Sequence, residues 1–85
     1  MKRNVLVIYL GTNPDTTTEV QKILLKIGKY TKTRLGIHDA VADSNIQTAL
    51  AVIELAGAKT EMFKEFENEL NAVVGVDAKL VSLEL

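Results

Sequence analysis

Two stretches of this chain are apolar on both of the faces that a β-strand presents. Residues 5–10 and 46–55 are almost unbroken apolar runs, and successive side chains of a strand point to opposite sides of its sheet. Such runs are typical of central strands that are covered on both sides. Because the chain has 85 residues, it allows one domain with a thin core, which a partner would help to stabilise.

Two amphipathic segments alternate with the strand-forming segments. The first carries a single apolar stripe, formed by Val20, Ile23, Leu24 and Ile27. Thr16 and Glu19 have the spacing of a capping box, so we predict that this helix begins at Thr16 and ends at Gly28. The second helix is predicted to begin with Thr60 as its cap and to end at Gly75. Its apolar stripe consists of Met62, Phe63, Phe66, Leu70 and Val73.

The remaining segments predict strands of a different kind. Residues 30–38 alternate charged and apolar side chains, which suits the edge of a sheet; residues 39–45 predict a polar loop and residues 76–85 the last strand. The order is therefore βαββαβ, the split βαβ arrangement of ferredoxin-like domains, whose first and third strands are central. We predict an α+β, ferredoxin-like fold for residues 1–85, with a four-stranded antiparallel sheet in the order 4-1-3-2 and two helices on one face.

The second face of such a sheet has nothing in the chain to cover it. The side chains predicted to share one face are Val5, Val7, Tyr9, Leu50 and Val52. Burial of apolar surface contributes about 25 cal/mol per Å², so covering several hundred Å² would rival the whole stability of a small domain. We therefore predict that these five residues form the interface of a homodimer or a dimer of dimers, joined through the sheet face or through edge strands.

Composition removes several classes of chemistry. The chain has no cysteine and a single histidine, His38, so thiolate sites and histidine-rich metal sites are not expected, and we predict no catalytic residue, metal or cofactor. The net charge of −1 creates no general field that would recruit nucleic acid or an anionic membrane. The longest apolar run, residues 5–10, is too short to span a bilayer, and a cytoplasmic location is expected.

The segment between the first strand and the first helix is the place where a ligand is first expected. Backbone N–H groups at a helix start, together with hydroxyl groups, can hold an anion or a carboxylate. A small polar or anionic metabolite could therefore bind there, although helix capping alone also explains the same residue types. The residues concerned are Gly11, Thr12, Asn13, Asp15 and Thr16.

Two segments resemble a known family. Residues 33–37, Thr-Arg-Leu-Gly-Ile, and residues 70–79, with a Gly-Val turn and a lysine in the last strand, resemble a small bacterial family described as iron-only hydrogenase system regulators. That family is ACT-like and similar to the C-terminal regulatory domain of the nickel-responsive repressor, which assembles as a tetramer. The chain departs from the family at His38, where proline is frequent, and in residues 11–15.

The resemblance implies a small stand-alone regulatory or ligand-sensing module that acts as a homo-oligomer, with a role in transcriptional regulation. It also implies a ligand at the first strand–helix loop, against a neighbouring subunit, as in ACT domains. Two alternatives stay open. One is a small dimeric α+β-barrel enzyme, oxygenase-like, that uses Tyr9, Tyr30 and His38 in a pocket between helix and sheet; the other is a purely structural oligomerisation subunit.

Overall fold

The chain follows the order βαββαβ in a computed structural model that describes residues 1–11, 13–38 and 48–85. The elements are β1 (Lys2–Gly11), α1 (Pro14–Ile27), a 3₁₀ turn (Gly28–Tyr30), β2 (Thr31–His38), β3 (Thr48–Leu55), α2 (Thr60–Asn71) and β4 (Val76–Glu84). The predicted element order is confirmed. Thr12, the predicted loop 39–45 and residues 46 and 47 of the predicted third strand lie outside the described residues.

All four strands are antiparallel and lie in the order β2-β3-β1-β4, which is the predicted order 4-1-3-2. The central strand β1 pairs with β3 from Asn4 opposite Leu55 onward, and with β4 along its other side. The charged strand β2 lies at an edge, as predicted, and its pairing with β3 shifts register between Thr31 and Thr33. Such an irregularity twists an edge strand and discourages pairing with another chain.

The core lies between the two helices and one face of the sheet. Leu6 and Ile8 of β1 are fully buried, and Phe63 and Leu70 of α2 cover them from above. Each of these side chains contributes about 1.5–3 kcal/mol by leaving water. Both predicted stripes enter this core, except that Met62 lies at its exposed margin. The buried apolar set is Leu6, Ile8, Val20, Ile23, Leu24, Ile27, Ile53, Leu55, Phe63, Phe66, Leu70 and Ala78.

Helix α1 begins two residues earlier than predicted. The cap is Asn13, whose Oδ1 accepts a hydrogen bond from the backbone N–H of Thr16 at 2.9 Å. Pro14 occupies the first helical position, where its fixed φ suits a helix and its missing N–H costs nothing. The predicted capping box of Thr16 and Glu19 is therefore wrong. Thr16 is instead buried in the first turn, and its Oγ1 donates to the carbonyl oxygen of Val74 at 2.9 Å.

Helix α2 begins one residue away from the predicted register, because Thr60 was predicted to be its cap. Thr60 is its first helical residue, and Lys59 occupies the cap position without a side-chain hydrogen bond. The helix ends at Asn71, and residues 72–75 turn the chain into β4. Gly75 has a φ of +88°, a left-handed conformation that residues with a side chain rarely adopt. This turn brings the chain back beside the start of α1, where the backbone N–H of Gly11 donates to the Gly75 carbonyl at 2.9 Å.

Candidate functional site

The sheet face opposite the helices, here called the open face, carries a continuous set of apolar side chains. Val7 of β1 lies opposite Val52 of β3, and Val52 lies opposite Leu35 of β2. Residues opposite one another in antiparallel strands share a face, so these three form a row across the sheet. The members of the open face are Val5, Val7, Tyr9, Leu35, Leu50, Val52, Val81 and Leu83. All five side chains predicted for the interface are among them.

Several of these side chains are half open to solvent. Tyr9 is 50% exposed, Leu35 is 56% exposed and Leu83 is 57% exposed. Contiguous apolar patches that extend across four strands are uncommon on the surface of monomers, where large patches mark interaction sites. The open face is therefore the strongest candidate interaction surface among the described residues.

Two ion pairs among the described residues lie on the open face. Lys79 and Asp77 of β4, which lie opposite Val7 and Tyr9, approach each other with an Nζ–Oδ1 distance of 3.3 Å. Arg3 makes a two-pronged ion pair with Glu54, with Nε–Oε2 and Nη2–Oε1 distances of 2.5 and 2.7 Å. The hydrogen bond from Arg3 lowers the pKa of the Glu54 carboxyl, against the opposing effect of desolvation, and the positive charges of Arg3 and Lys32 act in the same direction. The same contact raises the pKa of Arg3. Paired charges can be covered by a partner at smaller desolvation cost than isolated ones.

The outer edge of β4 is partly closed by side chains of α2. The side chain of Asn71 accepts from the backbone N–H of Ala78 and donates to its carbonyl oxygen. Glu67 accepts from the backbone N–H of Leu80 at 2.5 Å. An edge strand whose hydrogen-bonding groups are already occupied is a poor template for extending the sheet. Of the two predicted modes of assembly, this geometry favours the sheet face over the β4 edge.

The predicted ligand site at the start of α1 is held together by contacts within the chain. The hydrogen-bonding groups of Gly11, Asn13 and Thr16 already bind the backbone of residues 16, 74 and 75. A groove of about 300 Å³ lies beside them, between the first turn of α1 and residues 72–74. Asp15 and Glu19 line it with two carboxylates, which disfavour an anion and suit a cationic or ammonium-bearing group. Thr12, the fifth predicted residue, lies outside the described part of the chain.

The three aromatic and imidazole groups considered for an enzyme are not gathered at one described cleft. Tyr9 lies on the open face. Tyr30 lies on the helix side, with ring centroids 6.4 Å from Phe63 and 6.1 Å from Phe66. His38 ends β2, and its side chain lies outside the described residues. The sheet thus separates the two tyrosines.

The described residues offer neither a metal site nor a membrane-spanning helix. They contain no group of three or more histidine, cysteine, aspartate or glutamate side chains placed to hold a metal ion. No helix in residues 1–11, 13–38 and 48–85 is long and apolar enough to cross a membrane.

Comparison with solved structures identifies the fold. An uncharacterized protein from Thermotoga maritima superposes with a TM-score of 0.75 at 19% identity, over 99% of this chain and 100% of that one. The ACT domain of GTP pyrophosphokinase from Chlorobium tepidum gives 0.71 at 12% identity, over 93% of this chain and 96% of the domain. A dimeric ferredoxin-like protein from an uncultured marine organism gives 0.51 at 7% identity, with coverages of 99% and 94%.

No protein-family model and no curated protein matches the sequence. The structural matches share one βαββαβ architecture with this chain along nearly its whole length. The chain has a ferredoxin-like α+β fold of the ACT type.

Proposed function

We propose that this chain is a small regulatory, ligand-sensing module that works as a homo-oligomer whose subunits pair through the open face. The observation that carries the proposal is the apolar open face itself, on which the ion pairs of Arg3 with Glu54 and of Lys79 with Asp77 lie. The likeness to an ACT domain supports the sensing role, and the likeness to a dimeric ferredoxin-like protein supports the assembly.

The area available on the open face suits a dimer of moderate strength. Four strands spaced about 4.8 Å apart and roughly eight residues long present on the order of 500 Å². Two copies would then bury about 1,000 Å² in total, the lower bound of a specific interface. A modest interface can be shifted by a ligand of modest affinity, since a ligand moves an equilibrium only by its difference in affinity for the two states.

Strand β1 connects the proposed interface on the open face with the predicted ligand site at the start of α1. Val5, Val7 and Tyr9 of β1 lie on the open face, and the same strand ends at Gly11, beside the start of α1. A ligand bound around Gly11, Thr12, Asn13, Asp15 and Thr16 would act on the end of the strand that forms the interface. Binding would then stabilise one arrangement of subunits over another.

The more specific part of the proposal rests on the sequence resemblance. Residues 33–37 and 70–79 support a place among regulators of iron-only hydrogenase systems, with a role in transcription and a cytoplasmic location. In the structure these residues form the middle of β2 and the junction of α2 with β4. Leu70 and Ala78 of the second segment are buried in the core, so this part of the resemblance supports the shared fold more directly than a shared ligand.

Protection of an introduced cysteine tests the pairing of the open face. The chain has no cysteine, so a single Leu35→Cys or Leu25→Cys thiol would be unique. Leu35 lies on the open face and Leu25 on the outer side of α1, and both are well exposed in the single subunit, at 56% and 82%. We expect a thiol reagent to modify Leu35→Cys slowly at high protein concentration and faster on dilution, and Leu25→Cys quickly throughout. Equal, concentration-independent rates would contradict pairing through this face.

A metabolite panel tests the sensing role separately. Small polar, anionic and ammonium-bearing metabolites are added to the oligomer, and its dissociation constant and thermal midpoint are followed. At least one compound is expected to shift both, because a ligand that prefers one state stabilises it by mass action. If the thiol at position 35 is protected and no compound has any effect, the chain is a structural oligomerisation subunit and the sensing role is wrong.

A further inference from the structure

A cleft of about 200 Å³ opens between α1 and the β2 side of the sheet. Its floor consists of small residues on the helix-facing side, Gly36 of β2 with Ala49 and Ala51 of β3. Val20 and Leu24 of α1 form an apolar wall. This α1–β2 cleft lies on the helix-facing side of the sheet. Of the residues predicted for the ligand site or the interface, Leu50 alone is among its described lining residues.

Gly36 has no packing requirement among the described residues. Its φ is not in the left-handed range, and no described atom lies within 4 Å of a Cβ built on it. A glycine within a strand usually costs stability, by about 0.5–1 kcal/mol relative to alanine. Glycines in strands often mark the close approach of another group. Here the missing side chain leaves the floor of the α1–β2 cleft open.

Arg34 supplies the charge of the cleft. It lies opposite Ile53 in the register of β2 and β3, on the helix-facing side, and it lines the cleft. Among the described residues it makes no hydrogen bond or ion pair. Thr17 and Gln21 add neutral polar groups, and no aspartate or glutamate is among the lining residues that the structure describes. A guanidinium that has no partner in the described part of the chain, beside an apolar wall, is complementary to a carboxylate with an apolar tail.

We propose that the α1–β2 cleft binds a short aliphatic carboxylate, with Arg34 holding the carboxylate and Val20 and Leu24 packing against the tail. The volume is below the roughly 300–1,000 Å³ of pockets for larger ligands, so the cleft suits an acid of about six carbons. An α-ammonium group would find no carboxylate partner among the described lining residues, so the cleft prefers simple acids to amino acids. Binding is internal to one subunit; its use as a signal rests on the proposed sensing function.

Titration of the ¹⁵N-labelled full chain with 4-methylpentanoate tests the proposal by amide shifts. Leucine adds an ammonium group to the same skeleton, and 4-methylpentanamide removes the charge. We expect saturable shifts in α1, β2 and β3 with the acid, and binding at least about tenfold weaker with the other two. The amide loses the charge-assisted hydrogen bond to Arg34, and the ammonium group of leucine is desolvated without a described carboxylate partner. No saturable shift at about 20 mM acid, or equal binding of all three compounds, would overturn the proposal.

Three variants show whether a loss of acid binding comes from the α1–β2 cleft or from a general effect on folding. Gly36→Val fills the floor with a strand-favouring side chain that meets open space, so the protein should stay folded and lose binding. Arg34→Gln should weaken binding at least about tenfold. Lys64→Gln, an equal change of charge at an exposed position of α2, should bind as the unmodified chain does.

Acid binding and thiol protection can fail independently, so the binding site in the α1–β2 cleft and the pairing of the open face are tested separately. Unchanged affinity in a folded Gly36→Val variant would place the acid elsewhere and overturn the assignment of the cleft. Thiol protection at position 35 would still stand in that case, because it reports the open face alone. Loss of thiol protection with intact acid binding would instead leave the cleft as a binding site without the proposed oligomer.

Discussion

The side chain of Asn71 mimics a neighbouring strand for Ala78. Its Oδ1 accepts from the backbone N–H of Ala78 at 2.7 Å, and its Nδ2 donates to the carbonyl oxygen of the same residue at 2.9 Å. Two residues on, Glu67 accepts from the N–H of Leu80. Helix α2 thus occupies outward-facing groups of β4 that another chain would otherwise use. The apolar open face is left as the surface best suited to self-association.

Asn71→Ala should destabilise the protein by about 1–3 kcal/mol, because it leaves a donor and an acceptor of the strand without a protein partner. Denaturation by urea measures the change. Asn68→Ala is the matched control, since Asn68 is an exposed residue of the same helix whose side chain makes no described hydrogen bond. Equal stabilities for the two variants would show that the contact with Ala78 contributes nothing.

Gly75→Ala should destabilise the turn between α2 and β4. Its φ of +88° disfavours a side chain, and a Cβ there would lie 3.2 Å from Oγ1 of Thr16, the atom that donates to Val74. We expect a loss of about 1–2 kcal/mol in unfolding free energy. Gly28→Ala is the control, because its φ is −51° and no described atom lies within 4 Å of its Cβ position. A neutral Gly75→Ala would contradict this account of the turn.

The ion pair of Arg3 with Glu54 predicts a dependence of stability on pH. The pKa of Glu54 is lowered from its ordinary value of 4.5 by the hydrogen bond from Arg3. A carboxyl whose pKa is lower in the folded state stabilises the fold above its unfolded pKa, and this contribution disappears as the pH falls through the folded pKa. Between pH 7 and pH 2, unfolding free energies should fall less for Glu54→Gln than for the unmodified chain. Parallel pH profiles would show that the pair does not stabilise the fold.

The sequence predicts the fold well because its signals are local and agree with one another. The two-sided apolar character of residues 5–10 and the charges of β2 identify central and edge strands without any knowledge of tertiary contacts. The start of α1 was harder to predict, because Asn13 and Thr16 are both good caps and only the position of Pro14 selects between them. The spacing of Thr16 and Glu19 fits a capping box, but this rule takes no account of the proline that follows Asn13.

The features that could not be predicted from the sequence depend on contacts between segments that are distant along the chain. The bonds of Asn71 and Glu67 to β4 depend on how α2 lies along the edge strand, and a helical pattern marks these residues only as polar. Gly36 belongs to the segment that resembles the regulator family, but nothing in its sequence context indicates a cleft. The structure shows that Gly36 lines the α1–β2 cleft, where, among the described residues, α1 leaves the helix-facing side of β2 open beside Arg34.

Leu50→Asp should abolish self-association, because it would place an unpaired charge in the centre of the paired open faces. Val7→Asp should weaken it less, because Lys79 lies opposite position 7 and offers the new carboxylate a partner. Leu25→Asp, on the exposed side of α1, should leave self-association unchanged. Circular dichroism shows whether each variant is folded. A folded Leu50→Asp variant that associates as strongly as the unmodified chain would contradict the assignment of the interface.

Sedimentation equilibrium of the unmodified chain, from low to high micromolar concentration, tests the pairing of the open face most directly. One subunit has a mass of 9.3 kDa. The account predicts a mass of twice that value, or of four subunits, with dissociation on dilution. A mass of one subunit at every concentration would leave the apolar face of the sheet permanently exposed and would contradict it.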